Sequence, residues 1–323
     1  MRVLITGGMG VIGSLTTEKF LQEGYRPVVF ARHRDDRLIR LIVDHVDIEL
    51  GDVTDLPRLL EVIKKHRITH IIHAAAFVGA VSAANPALSV QVNVLGTVNV
   101  LEAARLFDIQ RVVYTSAKGV YGHIDGQYGH PDYEPLPEEH AKNPVRIYDS
   151  AKLMGEHAGL HYQANHGVDF VALRFATTYG PGKTARHGKM GITSDLIESA
   201  FAGRPFLLAK GRDQKDDFIY NKDVALGIYL ACVTKRLSRR VFNIGSGVGV
   251  TLTDMANALK EHLPQAVIEI GPGLNYLDAP TQYYSVYDIS RARQDLGFSP
   301  QFDLAKGIGD YLAILERLQA SGE

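Results

Sequence analysis

Short, β-branched apolar runs recur through the first 175 residues, each followed by a stretch in which apolar positions return every three or four residues. The runs are Val3 to Thr6, Pro27 to Ala31, Asp47 to Gly51, His70 to Ala74, Arg111 to Ser116 and Phe170 to Arg174. Strands apolar on both faces and separated by helices predict a parallel sheet covered on both sides, hence an α/β, doubly wound fold. Beyond Arg174 the regularity gives way to Tyr179-Gly180-Pro181-Gly182 and Gly271-Pro272-Gly273, with helices predicted over 192–202, 222–234 and 251–262. No Ser/Pro-rich linker separates the two parts. Residues 1–175 therefore read as one domain, to which later segments return, and 176–323 mainly as a smaller lobe that closes a cleft.

Composition narrows the chemistry. A chain of 323 residues can bury a large core without disulfides or metals, and the lone Cys232 suits a reducing cytoplasm. His157 and His161 share a helix face but lack an HExxH arrangement, so no metal site is expected. The net charge of −1 and the mixed charge pattern argue against nucleic acid as a partner. No run of about eighteen apolar residues occurs, and the N-terminus reads as a strand and turn, so neither a membrane span nor an export signal is expected. Small molecules are the expected partners.

The first strand runs into Thr6-Gly7-Gly8-Met9-Gly10-Val11-Ile12-Gly13, and a helix is predicted to follow through Phe20. Glycines at Gly7, Gly10 and Gly13 allow a tight turn and close backbone approach, and the helix N-terminus favours a pyrophosphate. This is the pattern of a Rossmann-type dinucleotide-binding domain. At the end of the second strand the chain reads Phe30-Ala31-Arg32-His33-Arg34, with no carboxylate at Ala31 for the adenosine ribose. Arg32 or Arg34 would meet a 2′-phosphate, which favours NADP over NAD. The alternative is a solvated basic turn with Asp35 or Asp36 reaching back to the ribose.

Tyr148-Asp149-Ser150-Ala151-Lys152 places a phenol and an ammonium four residues apart, on one helix face. Lys152 is expected to stabilise the tyrosinate and lower the phenol pKa from about 10, so that Tyr148 exchanges a proton with a substrate oxygen.

Further segments follow in a telling order: Gly51-Asp52-Val53-Thr54-Asp55, His73-Ala74-Ala75-Ala76, and Asn93-Val94-Leu95-Gly96-Thr97. With the glycine turn and Tyr148/Lys152, they resemble the extended short-chain dehydrogenase/reductases, the NAD-dependent epimerase/dehydratase family, over nearly the whole chain. The resemblance implies that Asp52 and Val53 contact the adenine and that Ala74 and Ala75 line the cofactor groove. It gives Asn93 a part in ordering strands near the site; a polar residue at a helix start is the competing reading. It also implies a homodimer, with helices near 87–106 and 149–165 at the interface.

The family supplies a third group, a Ser or Thr five residues before the glycine of Val120-Tyr121-Gly122, and that position holds Ala117. Three explanations stay open: Ser116 takes the role after a backbone shift, ordinary activity has been lost, or Ala117 is an engineered change. A lesion at 117 is favoured, because neighbouring side chains of an extended strand face opposite sides. The family's 4,6-dehydratases carry an acid just beyond, where Lys118 and Gly119 stand here, so dehydration is not expected. Lys118 is a candidate substrate-facing cation, although a solvated turn lysine is the favoured reading.

Thr177, Thr178 and Tyr179 match the family segment at the substrate entrance, with loop packing as the alternative, and Arg174 reads as structural. Family members acting on sugar nucleotides carry two arginines for the pyrophosphate, at positions matched here by Asp216 and Asp278. Carboxylates there would repel a diphosphate. A shifted match would give the first role to Arg212 or Lys215. The leading reading is an NAD(P)-dependent oxidoreductase acting on a secondary alcohol or ketone of a small polyhydroxylated or sugar-like compound. The alternatives are a sugar-nucleotide 4-epimerase and a non-catalytic cofactor-binding sensor.

Overall fold

The computed structural model describes residues 1–320. The six predicted strands appear as β1 (Val3–Thr6), β2 (Val28–Ala31), β3 (Asp47–Leu50), β4 (His70–His73), β5 (Arg111–Ala117) and β6 (Phe170–Phe175). Beyond them lie β7 (Thr177–Tyr179), β8 (Phe206–Leu208), β9 (Lys215–Tyr220), β10 (Val241–Ile244), β11 (Gly249–Thr251) and β12 (Ile268–Ile270). Strands β1 to β6 and β10 form one sheet in the order β10-β6-β5-β4-β1-β2-β3, parallel throughout. Every residue of β1 and β6 is buried, which is why both read as unbroken apolar runs. Strand order reverses between β1 and β4, and the crevice at their C-terminal ends is where such sheets bind ligands.

The helices are α1 (Val11–Gln22), α2 (Leu56–His66), α3 (Gly79–Ala84), α4 (Pro86–Val90), α5 (Gly96–Leu106), α6 (Ile147–His166), α7 (Lys183–His187), α8 (Ile192–Phe201), α9 (Asn221–Val233), α10 (Leu252–His262) and α11 (Leu304–Ala320). Helices α1 and α9 cover one face of the large sheet, and α2, α5 and α6 the other, so that two apolar clusters sandwich it. A π-turn over Gln91–Leu95 joins α4 to α5. The resulting run Pro86–Leu106 is 21 residues long and apolar enough to cross a membrane by length and composition, although Ser89, Gln91, Asn93, Thr97 and Asn99 interrupt it; 56% of its apolar window is buried inside the fold. Strands β11, β9 and β7 make a second sheet and β12 with β8 a third, packed with α8, α10 and α11 around a separate aromatic-rich cluster.

Candidate active site

Gly7 ends β1 with φ 69°, and a Cβ there would lie 2.7 Å from the Ala75 backbone nitrogen. Only glycine lets the β1 and β4 loops meet so closely. A Cβ on Gly13 would come within 2.1 Å of the Gly7 carbonyl oxygen, so α1 also packs on its own turn. The N-terminus of α1, with Gly10 as its cap and no side chain across it, opens onto a groove. That groove comprises two hollows of about 310 and 320 Å³ sharing Gly7, Gly10, Ala74 and Arg186. Arg32, Asp52, Val53 and Ala75 line the first; Val11, Ile12, Gly13, Tyr148 and Lys152 line the second. A bare helix terminus beside a cradle closed to any Cβ fits a dinucleotide pyrophosphate.

The predicted phosphate cations divide. Arg32 faces the groove, whereas Arg34 is tied to Asp36 with Nε 2.9 Å from Oδ2 and does not line it. A short Asp-Arg spacing lets Arg34 neutralise its own neighbour. Asp35 lines the hollow, but its carboxylate is shared by Arg37 at 2.8 Å and Arg186 at 2.6 Å, and the Arg37 bond above all holds its pKa down to about 2. Arg186 of α7 also donates to the Met9 carbonyl at 2.8 Å, bridging the glycine turn and the end of β2. Asn93 lies in the π-turn, not at a helix start, and does not touch the groove. It accepts from the Phe77 N–H at 2.7 Å and donates to the Phe77 carbonyl at 2.9 Å, fixing the β4 loop that forms the groove wall.

Tyr148 stands in the first turn of α6 and lines both the second hollow and a larger cavity of about 630 Å³. Lys152, one turn on, is buried; its Nζ donates to the Thr115 carbonyl at 2.6 Å and lies 4.7 and 5.8 Å from the Tyr114 and Tyr148 ring centroids. Burial pushes the lysine down to about 7, and burial, then Asp149, raises the Tyr148 phenol. The expected lowering of the phenol is therefore corrected. The Lys152 ammonium donates to a backbone carbonyl, and desolvation outweighs the opposing field of Arg146 on the phenol.

Ala117 ends β5 in extended conformation and lines the large cavity. The Ser116 hydroxyl donates to Glu156 Oε1 at 2.5 Å, on a buried carboxylate that Arg174 also holds at 2.9 and 2.6 Å. Ser116 lines the large cavity and the second hollow while its hydroxyl is held by Glu156, and Arg174 is structural. Lys118 overturns the reading as a solvated lysine: it is 5% exposed, forms an ion pair with the buried Asp216, and donates to the Ser285 carbonyl at 2.9 Å. Asp216 further accepts from Thr177 Oγ1 at 2.5 Å.

Thr177 and Thr178 line the cavity. Tyr179 does not: it is 1% exposed and stacks on Tyr220 at 5.2 Å between centroids, a core residue of the smaller sheet. Asp278 also lies away from the cavity, on the surface in an ion pair with Lys210. Arg212 is tied to the Ile270 carbonyl at 2.8 and 3.0 Å, and Lys215 is exposed at the start of β9; neither lines the cavity. Sequence reasoning missed Arg146, Lys183, His187 and Tyr283, which complete the cavity wall. They sit in loops and short helices without periodic pattern, where only their charge or aromaticity gave a signal.

The family model described as the NAD dependent epimerase/dehydratase family matches residues 3–245. A putative UDP-glucose 4-epimerase of Methanocaldococcus jannaschii is 30% identical over 95% of each chain. The UDP-glucuronic acid decarboxylase 3 of Arabidopsis thaliana is 30% identical over 95% of this chain and 87% of its own. Among solved structures, the UDP-glucose 4-epimerase of Thermus thermophilus in complex with NAD superposes with a TM-score of 0.82 at 27% identity, covering 98% of this chain and 99% of that one. The GalE-like L-threonine dehydrogenase of Cupriavidus necator gives 0.82 at 26% identity, over 98% and 100%. Likeness of this extent, on a sheet with this strand order, makes the chain a member of the NAD-dependent epimerase/dehydratase family.

Proposed function

We propose that this chain is an NAD(P)-dependent oxidoreductase that moves a hydride to or from a secondary alcohol or ketone of a small polyhydroxylated or sugar-like substrate. The observation that carries the reading is the place of Tyr148, at the wall shared by the glycine-turn groove and the larger cavity. Gly7, Gly10, Gly13, Ala74 and Asp52 would hold the dinucleotide, which supplies the hydride chemistry. Tyr148 exchanges the proton with the substrate oxygen, and Lys152, when protonated, favours the tyrosinate. Thr177, Thr178 and Lys118 form the substrate wall, with Asp216 buried behind Lys118 and Thr177. Because Asp216 neutralises Lys118, the cavity offers a diphosphate less positive charge there than an arginine would.

The test is net reduction or oxidation of nicotinamide with a panel of polyols, hydroxy acids and sugars. Isomerisation of a UDP-sugar without external cofactor would establish the second reading instead, a 4-epimerase, which the names of the curated relatives favour. Ala117 supports the non-catalytic alternative, for which retained cofactor binding without turnover, even after Ala117→Ser, is the signature.

For the cofactor we favour NADP, on the strength of Arg32 at the groove and of Asp35 already shared by two arginines. The Thermus relative is a complex with NAD, and at least tenfold tighter binding of NAD than NADP would reverse the preference. We further propose a homodimer through the Pro86–Leu106 run and α6, where Val90, Leu95, Leu106 and Met154 are exposed by 43% to 53%. A monomer in light scattering at micromolar concentration contradicts it. The buried free thiol of Cys232 fits the reducing cytoplasm in which we place the protein.

A further inference from the structure

Three cations line the cavity around Ala117 and Tyr148: Lys118, Arg146 and Lys183. Two are neutralised by the fold. Lys118 pairs with Asp216, and Arg146 grips Asp149 at 2.6 and 3.2 Å. Lys183 differs. It is 6% exposed, and its ammonium donates to the carbonyl of Thr178 and, at 3.0 Å, to the hydroxyl of the same residue. Among the described residues it forms no ion pair.

The neighbouring groups give Lys183 no ion pair. Burial pushes His187 down to about 3, so it stays neutral, and Asp216, whose field reaches Lys183, makes its ion pair with Lys118. Asp217, the next residue of β9, accepts from Ser246, Gly247 and Tyr287 and does not line the cavity. Burial lowers Lys183 to about 8, which leaves it charged at neutral pH. The wall therefore presents to the cavity one cation without an ion-pair partner. A buried ammonium without a counter-ion is costly, and a ligand anion relieves that cost. The Thr178 hydroxyl, which accepts from Lys183, keeps its own proton to donate to the same anion.

We propose that Lys183 and Thr178 form a carboxylate subsite, so that the substrate is a small hydroxy acid carrying one negative charge. A monoanion matches the single excess cation; a diphosphate would bring more charge than the wall balances and would do so beside Asp216. The proposal rests on the oxidoreductase reading and names its substrate class.

The experiment is calorimetric titration of the full, cofactor-loaded protein with two matched pairs: 3-hydroxybutyrate against its methyl ester, and gluconate against glucitol. At least one acid is expected to bind ten or more times tighter than its neutral counterpart. Lys183→Met should abolish that preference, so that each acid and its neutral counterpart bind alike, and Lys183→Arg should keep part of it. An unchanged melting temperature and cofactor affinity certify the fold of each variant, and the arginine variant serves should the methionine one fail to fold. If neither acid is preferred, or if Lys183→Met keeps the preference, the carboxylate subsite is overturned. Oxidation of glucitol or the ester as readily as of the acids overturns the subsite alone. Isomerisation of UDP-glucose without added cofactor overturns both it and the oxidoreductase reading.

Discussion

Replacing Lys152 by methionine should flatten the pH dependence of stability. Lys152 is 2% exposed, and burial lowers its pKa from 10.5 to about 7. Between those values the unfolded chain binds a proton that the folded chain lacks, so stability rises with pH, by up to about 1.4 kcal/mol per pH unit for one group. Over the interval from about pH 7 to about pH 8.5 the curve for this lysine integrates to about 2 kcal/mol. Lys183, lowered to about 8, has the same sign and adds about 1 kcal/mol. The cofactor-free wild-type chain should therefore gain about 2.5 kcal/mol from these two lysines over that interval, and Lys152→Met only about 1 kcal/mol. Cys232, raised to about 12, contributes with opposite sign as the unfolded thiol begins to ionise near pH 8.5, and it does so equally in both proteins. Methionine keeps an unbranched stem and forfeits the ammonium, with its place over the Tyr114 ring and its bond to Thr115. The assay is urea unfolding followed by far-ultraviolet circular dichroism at three pH values. Parallel curves for the two proteins would refute a desolvated, half-charged lysine at neutral pH.

Ala117→Ser should raise kcat/KM about 100-fold by adding one donor to the reacting oxygen, while Ser116→Ala should cost about 2 kcal/mol of stability and little turnover. No gain at 117 together with a large kinetic loss at 116 would reverse those roles. Arg186→Ala should weaken reduced-cofactor binding about tenfold, read by nucleotide fluorescence, since one bidentate cation at the groove is lost; unchanged affinity would leave it a purely structural clasp. His73 is held neutral by burial, its pKa pushed down to about 3 between the hydroxyls of Thr6 at 2.7 Å and Thr97 at 3.1 Å. Its contribution is present above the unfolded pKa near 6.5 and is lost as pH falls toward 3, so His73→Gln should shift acid unfolding to lower pH in a circular dichroism titration.

The large sheet was legible because its strands are buried on both faces and show it as apolar runs. Strand β10 was not, since Asn243 interrupts its pattern; inside the fold that amide accepts from Tyr121 at 2.7 Å and donates to the Leu136 carbonyl at 3.0 Å, bonds no local window reveals. Tyr148 and Lys152 were legible as a helical pair, because their spacing is local. Their pKa behaviour was not, because it depends on how much water the folded wall excludes. Arg34 and Arg186 show the same division: the first stands in the expected place and spends its charge on Asp36, while the second reaches Asp35 from 151 residues away.

The Lys118–Asp216 pair carries that division into the choice of substrate. Each residue was visible alone as a departure from the family pattern, a lysine where a dehydratase has polar or acidic residues and an aspartate where a sugar-nucleotide enzyme has an arginine. Read separately, the first suggested a solvated turn and the second a repulsive wall. The two are 98 residues apart in sequence and in contact in the fold, both nearly excluded from solvent. Removing either alone would strand the other's charge in the interior, at a cost of about 3–5 kcal/mol, so the two substitutions make sense only together. Together they form a buried ion pair beside Thr177 that is electrically closed at that point. What positive charge the cavity retains without an ion-pair partner then rests with Lys183, on the neighbouring stretch of chain, and on the proposed carboxylate subsite that placement favours a small monoanion over a nucleotide sugar.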